Sequence, residues 1–95
     1  MPENLAIELM NSAYKLVKDV MKIKSGEEVV ITADTESDWR GVEAVAEAVA
    51  LLKAKPLVAW ISSPPGVGKA ADPYIPIKSL TALLKNSDVW IEFNK

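Results

Sequence analysis

The sequence contains no cysteine and no histidine. Disulfides, thiol nucleophiles, thiolate or imidazole metal ligands and histidine general bases are therefore all excluded. Glycine is scarce, with 4 residues in 95, and aromatic residues make up only 6%. A chain of this length forms at most one domain, so we expect residues 1–95 to be a single domain. It lacks most of the side chains that carry chemistry at neutral pH.

Charge and hydropathy exclude two further classes of protein. The chain has 13 acidic and 11 basic residues, without the basic excess that is typical of nucleic-acid-binding domains. No apolar run reaches the roughly 18–20 residues that span a bilayer. Charged residues interrupt the first segment, which is unlike a secretory signal. We therefore expect a cytoplasmic protein that binds neither nucleic acid nor a membrane.

Hydrophobic patterning predicts helices and strands in alternation. The first helix is expected over residues 3–22, stopping near Ser25 and Gly26. Short apolar runs at residues 29–33, 57–61 and 88–93 predict strands, the first of them covered on both faces. A helical run follows each of the first two strands. The candidate caps of the second helix are Thr35, Ser37 and Asp38, and the inward residues of the third are Ile77, Leu80, Leu83 and Leu84.

This order of elements predicts an α/β fold class. Helix–strand–helix–strand–helix–strand, with continuous apolar strands, indicates a small three-stranded parallel sheet flanked by helices. Such a unit is one half of a Rossmann- or flavodoxin-like fold. Right-handed crossovers leave the strand orders 2-1-3 and 3-2-1. We favour 2-1-3, which puts the second and third helices on opposite faces of the sheet.

Residues 63–70 resemble the phosphate-binding loop of ATPases. Gly66, Gly68 and Lys69 follow a predicted strand, as that motif requires. The first glycine of the motif and the hydroxyl that holds Mg²⁺ are both replaced, and nearby prolines prevent a phosphate-binding helix from starting at once. The preferred interpretation is a proline-rigidified surface loop. A small nucleotide- or anion-binding module that uses this loop is the alternative function.

Polar residues stand at the predicted carboxyl ends of the strands, where ligands bind in open parallel sheets. They are Asp34, Ser62 and Asn94. Together they could bind a polar ligand or a partner chain. The simpler interpretation is that Asp34 and Ser62 satisfy N–H groups of nearby loops and helix ends.

Other side chains of interest are carboxylates and tryptophans. Glu43 and Glu47 are four residues apart and are expected on the solvated face of the second helix. Trp60 and Trp90 fall inside strands and are expected in the core. Trp39 opens the second helix, where packing against the preceding strand is favoured over a role as an interface anchor.

Two segments carry a family resemblance. Residues 22–34 read KIKSGEEVVITAD, and residues 53–58, after an alanine-rich helix, read KAKPLV. They resemble the N-terminal region of the M29-type aminopeptidases and the related 2,5-dihydroxypyridine dioxygenase-like proteins. In that family K-x-G-E-x-V-x-I-x-x-D forms the first strand and its approach, and G-A-K-P-x-V leads into the second. Lys53 stands where that pattern has glycine, so a left-handed conformation there would carry a steric cost.

The resemblance spans nearly all of this chain but only the opening part of the longer family proteins. It implies a metal-dependent parent enzyme, a hydrolase or a ring-cleaving dioxygenase, commonly dimeric, whose Glu, His and Asp ligands to a divalent metal lie in its C-terminal part. Those positions have no counterpart in this chain, so no catalytic, cofactor-binding or metal-binding residue is carried over. The chain is therefore interpreted as a non-catalytic N-terminal structural or interaction domain, a natural or engineered fragment of a longer protein.

Partners follow from the same interpretation. The rest of the parent enzyme is the first expected partner. The two open edges of a three-stranded sheet also predict self-association, as a homodimer through an edge strand or an exchanged element. A designed domain without function is a further alternative, for which Lys53 in place of the family glycine is the only indication.

Overall fold

The computed structural model describes residues 3–35, 37–61 and 76–93. Within these ranges helices and strands alternate as predicted. The helices are α1 (Glu3–Lys15), α2 (Trp39–Leu51) and α3 (Ile77–Lys85), and the strands are β1 (Glu28–Asp34), β2 (Lys55–Ile61) and β3 (Val89–Glu92). A π-helical turn, Leu16–Val20, continues α1. None of the helices in the described ranges has both the length and the apolar character needed to cross a membrane.

The strands form one parallel sheet in the order β2-β1-β3, which confirms the favoured arrangement. Ile31 of β1 is in register with Val58 of β2 and with Ile91 of β3. Every residue of β1 except the first is buried, as expected for a central strand that is covered on both faces.

The core lies between one face of the sheet, here called the first face, and the helices α1 and α2. Val29, Ile31 and Ala33 of β1 point into it and are completely buried. Burying a side chain as large as Ile31 contributes about 1.5–3 kcal/mol to stability. The helical side chains of this core are Ala13, Val17, Val42, Ala44, Val45, Ala48 and Val49. Small residues on α2 let this helix approach the sheet closely.

The opposite face of the sheet, here called the second face, carries Val30, Leu57 and Trp90 because side chains alternate along each strand. Leu83 of α3 lines a pocket with Val30 and Leu57, so α3 lies on this side. The helices α2 and α3 therefore flank opposite faces, as the 2-1-3 order requires.

The side chains of α3 that were predicted to point inward are less buried than expected. No side chain of α3 is buried, and Ile77 at its start is 58% exposed. Leu80, Leu83 and Leu84 are only partly buried. The apolar residues do form a stripe on this helix, but within the described residues the second face of the sheet covers them only in part.

The tryptophan predictions also need correction. Trp60 and Trp90 are 49% and 47% exposed, so neither belongs to the core. Both lie on edge strands, where a side chain has a neighbouring strand on one side only. Trp39, for which packing was favoured, is 60% exposed at the start of α2.

The first helix ends earlier than predicted. Its last turn stops at Val20, and Lys22 takes a left-handed conformation with φ 53°. Gly26 does not terminate the helix. It lies in a later turn at φ 86°, where its N–H donates to the carbonyl oxygen of Lys53 at 2.9 Å.

At the end of α2, Lys53 takes the left-handed conformation for which a steric cost is expected. This residue has a φ of 62°, a region that glycine occupies readily and lysine does not. The N–H of Lys53 donates to Ala50 at 2.9 Å, and the N–H of Ala54 donates to Val49 at 3.2 Å. These two bonds form a Schellman motif, in which glycine is the usual residue at the position of Lys53.

Candidate functional site

The carboxyl end of β1 turns sharply into α2 through a small hydrogen-bonded loop. Asp34, the last residue of the strand, is only 5% exposed. Its N–H donates to Ser37 Oγ at 3.1 Å, and the N–H of Ser37 donates to the Asp34 carbonyl oxygen, also at 3.1 Å. Short polar side chains are suited to such a turn because they can replace backbone partners.

The Ser37 hydroxyl links the ends of two neighbouring strands. Its oxygen lies 2.8 Å from the Phe93 carbonyl oxygen and 3.1 Å from Asp34 Oδ1. A hydroxyl has one hydrogen to donate, so these two acceptors compete for it. In a 2-1-3 sheet the crevice between the ends of β1 and β3 is the switch point at which ligands usually bind. In this chain Ser37 bridges that crevice.

A second contact between the same strands lies on the second face. The indole Nε1 of Trp90 donates to Thr32 Oγ1 at 2.9 Å, and Thr32 is 1% exposed. The N–H of Phe93 donates to the Thr32 carbonyl oxygen at 2.7 Å. Thr32 thus holds both the backbone and a large side chain at the end of β3.

The beginning of α2 is the most highly charged part of this region. Asp38 is the N-cap, which selects one of the three cap candidates. Its Oδ1 accepts from the Arg40 N–H at 3.0 Å and from Arg40 Nε at 3.2 Å. The hydrogen bond from the Arg40 side chain, then the one from its backbone, lowers the pKa of the Asp38 carboxyl below its ordinary value of 3.8.

Of the predicted polar cluster, the structure shows only Asp34, at the strand end where it was expected. Ser62 and Asn94 lie outside the described residues, as do Gly66, Gly68 and Lys69 of the alternative phosphate loop. The next described helix, α3, begins at Ile77.

Sequence reasoning missed the bridging role of Ser37 and the buried role of Thr32. Ser37 was considered only as a helix cap, because its second partner is a backbone carbonyl far along the chain, at Phe93. Thr32 was one β-branched residue among several in a strand. A serine three residues after a strand-ending aspartate is the one local signal that indicates such a turn.

The chemistry available to this cluster is limited. Ser37 has no histidine or lysine partner among its hydrogen bonds, and nucleophilic serines require a base of that kind. In the part of the chain that the structure describes, no group of three acidic residues is placed to hold a metal ion. The cluster offers one carboxylate, that of Asp34, together with the Ser37 hydroxyl and the Phe93 carbonyl oxygen.

The polar groups of this region are satisfied internally. Across the described ranges, no buried side-chain nitrogen or oxygen lacks a hydrogen-bond partner. A preformed ligand site usually presents convergent polar groups to a cavity. The observed bonds place Asp34 in a hydrogen-bonded turn with Ser37.

Comparison with known proteins gives a fold but no family. No family model matches the chain, and no curated protein matches it. Among solved structures it is similar to the 2,5-dihydroxypyridine dioxygenase of Pseudomonas putida KT2440, with a TM-score of 0.72 at 19% identity. The match covers 95% of this chain and 28% of the dioxygenase chain. The chain therefore has the fold of one part of that larger enzyme and spans 28% of its length.

Proposed function

We propose that this chain is a non-catalytic α/β domain of a larger enzyme, of the kind represented by the dioxygenase and by the resembled M29-type aminopeptidases. Two observations support the proposal. The fold matches 28% of the dioxygenase chain, and in the described residues the polar side chains at the switch point, those of Asp34 and Ser37, bond to each other and to the Phe93 carbonyl oxygen. On this proposal the divalent metal and its ligands belong to the rest of the larger protein.

The observation that carries the proposal is the open second face. Leu57 and Trp90 on the sheet are 48% and 47% exposed, and Ile77 on α3 is 58% exposed. Leu57 and Trp90 share this face of the sheet, and exposed apolar patches mark surfaces that another chain or domain covers. A domain that supports the remainder of an enzyme needs such a surface, whereas a self-sufficient enzyme of this size needs a cleft with reactive groups.

The outer edge of β2, with which no strand of the described ranges pairs, is here called the free edge. It is poorly suited to pairing with a second full-length strand. The N–H of Lys55 donates to the Glu27 carbonyl oxygen at 2.8 Å, so Lys55 faces β1. By alternation Pro56, Val58 and Trp60 direct their backbone groups to the free edge. Pro56 has no N–H, which removes a donor from the first half of that edge.

The other edge, formed by β3, is a strand of only 4 residues. Short edge strands resist pairing with other chains. We therefore assign the expected self-association to the second face rather than to an edge strand.

An activity assay tests the absence of catalysis. The purified chain is incubated with each of Fe²⁺, Mn²⁺, Co²⁺ and Zn²⁺, and oxygen uptake with 2,5-dihydroxypyridine and hydrolysis of leucine p-nitroanilide are measured. We expect rates equal to those of the metal ion alone. Turnover above that background, lost in Asp34→Asn and retained in the matched exposed variant Glu92→Gln, would overturn the proposal.

A further inference from the structure

A groove between α2 and the free side of β2 has a composition that the scaffold role does not require. It encloses about 240 Å³ and is lined by Trp39, Val42, Glu43, Ala46, Val58 and Trp60. The two indoles are 60% and 49% exposed. Exposed tryptophans are rare on a surface without a binding role, because indole burial is strongly favourable.

The local structure brings these groups to one place. Trp39 is the first residue of α2 and Glu43 stands one turn later, so both lie on the same side of the helix. Trp60 is in register with the buried Ala33 and shares its face of the sheet. Its indole therefore projects from the first face, beside α2.

The carboxylate of Glu43 is available for a ligand. Within the described ranges, the side chain of Glu43 makes neither an ion pair nor a hydrogen bond. Arg40, the cation nearest along the helix, is held by Asp38 at 3.2 Å. Glu47 lies in the adjoining groove, which is also lined by Trp39 and Arg40.

The geometry points to a site for an arginine side chain that is presented by an extended peptide. Tryptophan faces attract cations, and arginine adds planar stacking together with a two-pronged bond to a carboxylate. The groove is smaller than the roughly 300–1,000 Å³ of typical small-molecule pockets, which suits a side chain rather than a whole ligand. This inference is independent of the proposed function.

The backbone beside the groove favours a peptide as the carrier. Val58 and Trp60 direct their N–H and C=O groups to the free edge of β2, and both residues line the groove. A short extended segment can bond to them while its side chain enters the groove, as in other modes of strand addition. Pro56 limits this pairing to the second half of the edge.

The test is an NMR titration of the tryptophan indole N–H signals with a blocked peptide, acetyl-Thr-Val-Arg-Val-Thr-amide. We expect the signals of Trp39 and Trp60 to shift, and that of Trp90 to stay unchanged because its N–H is bonded to Thr32 on the second face. A peptide with glutamine in place of arginine should bind more weakly. Equal shifts with both peptides would overturn the inference.

Variants separate the site from general charge effects. Glu43→Gln should weaken binding by a factor of about 1.4 to 5, which corresponds to the range measured for exposed ion pairs. Glu92→Gln, the same change on the exposed end of β3, should leave binding unchanged. An equal loss in both variants would contradict a specific site, as would unaltered binding in Glu43→Gln.

Two further arms exclude other occupants. The first arm is a titration with acetyl-arginine-amide. If this compound bound as tightly as the peptide, the proposed pairing of the peptide backbone with the β2 edge would be overturned. Sedimentation showing a dimer that Trp60→Lys dissociates would assign the groove to a second copy and would also overturn the inference. We expect the free amino-acid amide to bind more weakly, and any self-association to persist in Trp60→Lys.

Discussion

The hydroxyl oxygen of Ser37 lies 2.8 Å from the carbonyl oxygen of Phe93, which is 56 positions later in the chain, and so links the segments that follow the parallel strands β1 and β3. Replacing Ser37 with alanine removes this bond and the acceptor for the Asp34 N–H. Because two hydrogen bonds of the Ser37 hydroxyl are lost, we expect the free energy of unfolding to fall by about 1–3 kcal/mol, at about 0.5–1.5 kcal/mol for each bond. Urea unfolding of both proteins measures it.

The control for that prediction is Ser79→Ala, at an exposed position in α3. Alanine favours helices, so this variant should be unchanged or more stable by up to about 0.5 kcal/mol. Equal losses in the two variants would show that the Ser37 bridge contributes nothing specific.

Lys53→Gly is expected to stabilise the chain. Lys53 has a φ of 62° at the end of α2, where a side chain with a β-carbon is strained. Relief of that strain, less the entropy that glycine loses on folding, gives a gain of about 0.5–1 kcal/mol. Thermal unfolding measures it, and Lys22→Gly, at φ 53°, should behave in the same way.

The matched control is Lys85→Gly, at the last residue of α3, which is not among the left-handed positions of the described residues. Glycine in a helix costs up to about 1 kcal/mol relative to good helix formers, so this variant should lose stability. If Lys53→Gly also lost stability, the claim that Lys53 is strained would be contradicted.

The variants Ile31→Val and Ile77→Val test whether the first face is more deeply buried than the side of the sheet on which α3 lies. Ile31 is completely buried in the central strand, whereas Ile77 is 58% exposed. Removing a methylene from the core should cost about 0.5–1.5 kcal/mol. The same change at Ile77 should alter the free energy of unfolding by less than about 0.5 kcal/mol. Comparable losses at both positions would mean that the second face is covered in the isolated chain.

Asp38 makes the stability depend on pH in a defined direction. The hydrogen bonds from Arg40 hold the folded pKa of this carboxyl below its ordinary value of 3.8. Its contribution is therefore fully present above that value and is lost as the pH falls through the lower, folded pKa. Asp38→Asn keeps a capping oxygen but does not titrate.

Urea unfolding at pH 6 and at pH 2.5 of the wild type and of Asp38→Asn checks this sign. At pH 6 the wild type should have a larger free energy of unfolding than Asp38→Asn. At pH 2.5 this difference between the two proteins should be smaller. A difference that is independent of pH would contradict the role of the Asp38–Arg40 bonds.

Much of the fold was predictable because local patterns and chain connectivity restrict it. The β-branched run in β1 indicated a strand covered on both faces, and all of its residues after Glu28 are buried. Alternation of helices with such strands indicated a parallel sheet, and the right-handed crossover rule then left two strand orders. The cap at Asp38 followed from the chemistry of helix starts.

The errors lie where tertiary packing, not local pattern, decides. The apolar residues of β2 and β3 predicted strands correctly but could not show which side chains a neighbour covers, so Trp60 and Trp90 were misplaced. Gly26 was expected to end the first helix, yet Lys22 does so, because a strained residue is tolerated where hydrogen bonds at the helix end require it. The bond from Ser37 to Phe93 spans distant parts of the chain and leaves no local signal.

The account depends most on the second face being a surface that another chain covers. Sedimentation velocity of the purified chain, from low to high micromolar concentration, measures this directly. We predict dimers that increase with concentration, are dissociated by Leu57→Lys on the second face, and persist in the control Leu51→Lys at an exposed leucine of α2. A monomer at every concentration, or a dimer that only Leu51→Lys dissociates, would contradict the account.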